Sequence, residues 1–143
     1  MSAGRFVALD VGDKTIGVAA SDELGWSHPV RTIWRKNLAA DLDELAAILE
    51  EREATRIVVG LPLNMDDTEG PRAQKTRRFA ERLRERFPLP VVLWDERLTT
   101  WEAGRLLREA GARRQKKKER IDAIAAQLLL QSYLDAGAPQ EGL

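Results

Sequence analysis

Residues 5–21 read Arg5-Phe6-Val7-Ala8-Leu9-Asp10-Val11-Gly12-Asp13-Lys14-Thr15-Ile16-Gly17-Val18-Ala19-Ala20-Ser21, and the fold is decided on this stretch. The apolar run from Arg5 to Val11 is unbroken and of strand length. Gly12-Asp13 supplies a turn, and Lys14 to Ser21 reads as a second strand. Together they predict an antiparallel hairpin whose first strand ends on a carboxylate, Asp10.

Downstream, a third strand is expected over Val30 to Trp34, after a break at Pro29. Asn37 is placed to cap a helix running to about Arg52, with Leu38, Leu42, Leu45, Ala46 and Leu49 on one face. Arg56 to Gly60 is a short apolar run of the kind found in buried parallel strands. Leu61 to Gly70, with Pro62, Asn64, Asp66 and Asp67, is a loop. Pro71 suits a first helical turn, and Phe79, Leu83 and Phe87 carry that helix to Pro88. Val91 to Trp94 is another buried strand. Thr99 and Glu102 have capping-box spacing and open a helix stopping at Gly111. A basic connector then leads to a last helix from about Arg120 to Ala136, closed by Gly137 and Pro139.

An antiparallel meander followed by alternating helix and strand requires a mixed α/β sheet, here five-stranded, with helices on its faces. Right-handed crossovers allow the fourth strand to lie beside the first. Asp10 is then at the carboxyl end of a central strand, where open α/β sheets bind ligands. With no repeat and no linker, residues 1–137 are expected to form a single domain and 138–143 a flexible tail.

The chain has 143 residues, 43% hydrophobic and 32% charged, the composition of a folded globular protein. Without cysteine it has neither disulfides nor a thiolate metal site. No signal-peptide pattern opens the sequence and no run approaches a membrane span, so a cytoplasmic location without membrane contact is expected. The 23 basic and 23 acidic residues cancel, which argues mildly against nucleic-acid binding. Their distribution points the other way: acids crowd Asp41 to Glu53, and bases crowd Arg72 to Arg86 and Arg113 to Arg120.

Three carboxylates stand out. Asp10 ends one apolar strand, and Asp95 or Glu96 follows another; strand alternation alone does not choose between those neighbours. Asp122 shares a helical stripe with Ala125, Ala126, Leu129 and Tyr133, a face that should be buried, where an unpaired charge is costly. Carboxylates ~5 Å apart repel by ~3 kcal/mol per pair at an effective dielectric near 20. A divalent cation reverses that sign. An all-oxygen set selects a hard ion such as Mg2+ or Mn2+, and two such ions suit phosphodiester hydrolysis. Arg113, Arg114, Lys116, Lys117 and Lys118 precede Asp122 directly and are placed to hold a phosphate backbone, with Lys14 near Asp10. Arg72, Lys75, Arg77 and Arg78 form a possible second strip. His28 is assigned no role, Trp94 is expected in the core, and Trp101 lies near Glu96.

Four stretches resemble one family. Asp10 to Ala19, Val59 to Asp66, Asp95 to Thr100, and Asp122 to Ala126 with Tyr133-Leu134 behind it are similar to the motifs of the RuvX/YqgF family, in order and over nearly the whole chain. The resemblance implies a ribonuclease H-like fold, akin to that of the junction resolvase RuvC. It also implies a metal-dependent nuclease that processes the 5′ end of precursor 16S ribosomal RNA, with junction resolution on four-way DNA as the alternative. Asp10, Glu96 and Asp122 become the metal-binding catalytic set under it, which favours Glu96 over Asp95. One departure is Asp67, where the family commonly has glycine.

Two other classes remain in view. Asp10-x-Gly12 followed by Gly17 also resembles the first phosphate loop of actin- and Hsp70-type ATPases, which need two such domains. A binding module that does not cleave is the other. The expected partner is structured nucleic acid, pre-rRNA or branched DNA, bound by a monomer or a homodimer; cutting both strands of a junction would favour the dimer.

Overall fold

The computed structural model describes residues 4–96 and 115–142. Its elements run β1 (Phe6–Val11), β2 (Thr15–Ser21), β3 (Ser27–Trp34), α1 (Leu38–Glu51), β4 (Arg56–Leu61), α2 (Pro71–Arg86), β5 (Val91–Asp95) and α3 (Gln115–Asp135). The strands form one sheet in the order β3-β2-β1-β4-β5. β1 pairs antiparallel with β2 and parallel with β4, and β4 pairs parallel with β5. The hairpin, the mixed sheet and the central place of β1 are as the sequence predicts.

Alternation along the strands sorts the core into two layers. Val7, Leu9, Val11, Ile57, Val59, Val91 and Leu93 pack against α1 and α2 through Leu45, Ile48, Phe79 and Leu83. Phe6, Ala8, Ala19, Val58 and Val92 face α3, meeting Ala126, Leu129, Leu130 and Tyr133. Where α3 lies closest to the strands the sheet residues facing it are small, as at Ala8, Gly17, Ala19 and Gly60. A methyl group added to Gly17 would stand 2.0 Å from the Asp122 carbonyl oxygen, and one added to Gly60 would stand 2.9 Å from Leu129. A glycine inside a strand marks this kind of close approach.

Helix ends follow their side chains. The Asn37 carboxamide accepts a hydrogen bond from the Ala40 N–H at 2.9 Å, capping α1. α3 closes on Gly137 at φ +90°, where the Gly137 and Ala138 N–H groups bond to the carbonyls of Leu134 and Tyr133.

Two boundaries differ from expectation. Pro29 does not break the chain: β3 begins at Ser27 and runs through it. β3 is an edge strand with a register shift opposite Val18 and Ala19, a setting that tolerates a residue without an N–H. The basic connector is not wholly a loop either, since α3 starts at Gln115 and takes in Lys116, Lys117 and Lys118. Lys, Gln, Glu and Arg are good helix formers, and their charge does not prevent the turn from forming. The helix expected over 99–111 lies outside the described residues, as do Trp101, Arg113 and Arg114.

The last described residues lie along the sheet. Arg56 Nη1 donates to the Tyr133 hydroxyl at 2.8 Å and to the Ala138 carbonyl at 3.2 Å. The Tyr133 hydroxyl in turn donates to the Pro139 carbonyl at 2.5 Å. Among the described residues no helix is long and apolar enough to cross a membrane.

Candidate active site

Asp10 continues the Phe6, Ala8 alternation and therefore leaves β1 on the α3 side of the sheet. β5 repeats the arrangement, with Val92 and Trp94 toward α3 and Val91 and Leu93 toward α1 and α2. The Glu96 N–H donates to the Leu61 carbonyl at 3.1 Å, which extends the ladder by one residue. Alternation then sends Glu96 to the α3 side and Asp95 to the other. β4 separates the two strands, and its residue at this level on the α3 side is Gly60. With no side chain between them, the Glu96 carboxyl reaches that of Asp10 and hydrogen-bonds to it. Of the two acids the sequence left open, Glu96 is the one that meets Asp10.

Contact between two carboxyl groups has an electrostatic consequence. Burial, followed by the hydrogen bond and charge of Asp10, pushes the Glu96 carboxyl up from 4.5 to about 9; Asp95 adds to the shift and Arg72 opposes it. At neutral pH the Glu96 carboxyl keeps its proton and hydrogen-bonds to the Asp10 carboxylate. A cation would take the place of that proton.

Asp122 arrives from the other direction. Gly17 is the ladder partner of Asp10, and the Asp122 backbone rests directly on Gly17. The Asp122 carboxylate accepts a 2.8 Å hydrogen bond from the Thr15 hydroxyl. Asp10 and Asp122 line one open cleft of about 380 Å³ with Gly12, Asp13, Lys14, Thr15 and Arg72. Glu96 is joined to this cleft through Asp10. Among the described residues, no three His, Asp or Glu side chains are grouped closely enough to hold a metal ion as they stand. Asp10 and Glu96 are in contact, and Asp122 faces the same cleft while engaged with Thr15. All the donors are carboxylate oxygens, a chemistry that fits a hard divalent cation such as Mg2+ or Mn2+.

The predicted phosphate-binding residues fare differently. Lys14 lies in the β1–β2 turn on the rim of the cleft. Lys116 to Lys118 occupy the first turns of the helix that carries Asp122. Within the second strip, Arg77 is taken up by a bidentate pair with Glu69, at 2.7 and 2.6 Å. Arg72, at the start of α2, lines the cleft itself. His28 pairs with Asp22 on the surface at 3.0 Å, and Trp94 is half-buried, edge-on to Tyr133.

Sequence reasoning missed the parts that hold the site in shape. Gly17 and Gly60 were readable as glycines inside buried strands. Thr15 and Arg35 carry no such signal. Arg35 Nη1 donates to the Gly12 carbonyl at 2.8 Å, and its backbone N–H donates to the Lys14 carbonyl at 2.9 Å. Its Nε lies 3.4 Å from Asp41, which is 2% exposed. The turn that carries Lys14 is thus braced from behind.

A sheet of order β3-β2-β1-β4-β5, with acids leaving the carboxyl ends of β1 and β5 and a third entering on a helix laid across them, defines a protein of the ribonuclease H-like class. The chain belongs to the RuvX family, whose model, described as "RuvX: Holliday junction resolvase", matches residues 4–136. Among curated proteins it is 49% identical over 138 residues to the Myxococcus xanthus protein named "Putative pre-16S rRNA nuclease", covering 96% of this chain and 91% of that one. A protein of the same name from Thermoanaerobacter pseudethanolicus is 52% identical over 134 residues, covering 92% and 96%. Among solved structures, T. thermophilus RuvC in complex with a Holliday junction substrate aligns with a TM-score of 0.59 at 12% identity, over 94% of this chain and 97% of that one. A second Thermus thermophilus RuvC structure aligns at 0.53, again at 12% identity, over 93% and 96%. At that identity the likeness is one of fold.

Proposed function

We propose that the protein is a metal-dependent endonuclease that hydrolyses phosphodiester bonds, with Asp10, Glu96 and Asp122 as its catalytic carboxylates. The observation that carries this reading is the contact between the Asp10 and Glu96 carboxyls across Gly60, in a setting that pushes Glu96 up to about 9. Folding two acids into contact costs stability, and a bound cation removes that cost.

Asp10, Glu96 and Asp122 would hold Mg2+ or Mn2+, two ions in the full site. When bound, such ions supply Lewis acidity to the attacking water and to the leaving oxygen. The protein supplies the rest. Thr15 orients Asp122 through its hydroxyl. Lys14 and Arg72, on the cleft rim, bind the non-bridging phosphate oxygens and hold the scissile bond over the carboxylates. Lys116 to Lys118 contact the backbone beyond it.

The substrate supported best is precursor 16S ribosomal RNA, because relatives at about half identity are named "Putative pre-16S rRNA nuclease"; cleavage at its 5′ end, in the cytoplasm, is the form of that reading we take forward. A second reading, resolution of four-way DNA junctions, is favoured by the description of the family model. Incubating the protein with a labelled precursor 16S 5′ segment and with a labelled four-way junction, with and without Mg2+ or Mn2+, tests both. Cleavage of the RNA that requires metal and is abolished by Asp10→Asn is the expected result. Cleavage of the junction alone would assign the second reading. Metal-dependent binding without cleavage of either would leave a binding module and refute the nuclease. ATP hydrolysis in place of both would place the chain with the phosphotransferases.

A further inference from the structure

A second groove opens on the far side of the Gly12-Asp13 turn from the carboxylates. It has a volume of about 310 Å³ and lies between α2 and the strand ends, lined by Arg35, Arg72, Lys75, Arg78 and Arg82 over the ring of Phe79. Among the described residues its only carboxylate is Asp13, which reaches Lys75 at 3.6 Å with both side chains mostly exposed. Such a pair holds little free energy and yields readily to a better anion. Arg78 forms no ion pair or hydrogen bond among the described residues, and the contact of Arg82 with Glu85 is a surface one at 3.6 Å. Arg35 is neutralised by Asp41 behind the groove, but among the described residues Arg72, Lys75, Arg78 and Arg82 along α2 meet only the exposed, weak contacts of Asp13 and Glu85, an excess of positive charge that an anionic partner relieves.

The spacing indicates which kind of anion. Arg72, Lys75, Arg78 and Arg82 follow one another at three, three and four residues, so they form a stripe along one face of α2. From first to last the stripe is ~15 Å long, a length over which one nucleic-acid strand presents about four phosphates. Arg72 and the Gly12-Asp13 turn line both this groove and the carboxylate cleft, so the two are continuous. A single small anion would not need so long a track.

We infer that this groove is the path of the phosphodiester backbone flanking the cleaved bond, read by charge and not by sequence. The inference rests on the nuclease reading and names where the substrate leaves the cleft. Arg77, on the same helix, points into its pair with Glu69 and takes no part. Arg35 serves as the groove's wall, held by Asp41 and the Gly12 carbonyl.

The test compares the Asp10→Asn protein with the same protein carrying Arg78→Ala and Arg82→Ala. Both residues are exposed and remote from the core, and thermal melts would verify folding. Affinity for a labelled RNA hairpin and for a labelled four-way DNA junction is followed against salt concentration. The expected result is a loss of affinity of about tenfold and a log K against log salt slope shallower by roughly one unit per residue removed. Arg86→Ala, on α2 outside the groove, leaves both unchanged. The effect on only one of the two probes would assign the track to RNA or to DNA. Unchanged affinity and slope on both probes would overturn the inference. The nuclease reading is scored separately, on cleavage by the protein with Asp10 intact. Cleavage with no slope change sinks the groove alone, and a slope change without cleavage sinks the nuclease alone.

Discussion

Glu96 is held where its ionised form is unwelcome, and this makes its contribution to stability depend on pH in a definite direction. Below pH 4.5 the carboxyl is protonated whether the chain is folded or not. Between 4.5 and about 9 the unfolded chain releases the proton while the folded chain keeps it. The folded state then binds more protons, so metal-free stability falls as pH rises through that window. Glu96→Gln removes the titration. The variant should melt several degrees above the parent at pH 8 in the presence of a chelator, and the gain should shrink toward pH 5. A parent protein that is equally stable at pH 5 and pH 8, with no gain from the variant, would contradict the pairing with Asp10.

Asp67 offers a second prediction at this scale. It sits at φ +70° in the loop after Leu63, with its N–H bonded to the Asn64 carbonyl at 3.0 Å. The Thr68 N–H bonds to Asp66 in the same turn, at 3.1 Å. This is left-handed backbone, which explains why glycine commonly stands at this position in the family; aspartate is among the residues that tolerate it. Asp67→Gly should therefore be neutral or stabilising, by up to ~1 kcal/mol in urea unfolding, whereas Asp67→Val should lose ~1–2 kcal/mol.

At the scale of elements, the approach of α3 to the sheet sets the geometry of the site. Gly17→Ala would drive a methyl group into the Asp122 backbone, 2.0 Å from its carbonyl oxygen. The helix must then lift, with an expected loss of at least ~2 kcal/mol in denaturant unfolding. Cleavage should fall by more than stability alone explains, because Asp122 moves with the helix. If activity and stability both survive, α3 does not position the site. The strands and helices on either side of this contact were legible in the sequence, since periods of 2 and 3.6 and the caps at Asn37 and Gly137 are local signals. Pro29 misled because its tolerance depends on β3 being an edge, and the lysine run misled because charge was taken for loop. Asp10 was readable at a strand end. The choice of Glu96 over Asp95 was not readable from local pattern, because it needs the extra ladder bond to Leu61 and the gap at Gly60. Arg35 was invisible for the same reason, since only tertiary packing turns it toward the β1–β2 turn; Arg82 lay within the basic run of α2, but its share in the groove shows only once the helix is seated on the sheet.

For the whole molecule, zero net charge conceals a division of labour. Buried or grouped acids gather where β1, β5 and α3 converge, and cations gather along α2 and around the β1–β2 turn. The sheet keeps the two sets adjacent by placing β1 at its centre. The account depends on the acids gathering around divalent ions, and the most direct measurement is anomalous diffraction from crystals of the protein soaked in Mn2+. It predicts density at ~2.1 Å from carboxylate oxygens of both Asp10 and Glu96, with the Asp122 carboxylate turned from Thr15 to join them. Saturating Mn2+ that leaves this cleft without density, with the Asp10 and Glu96 carboxyls still in contact, would contradict it.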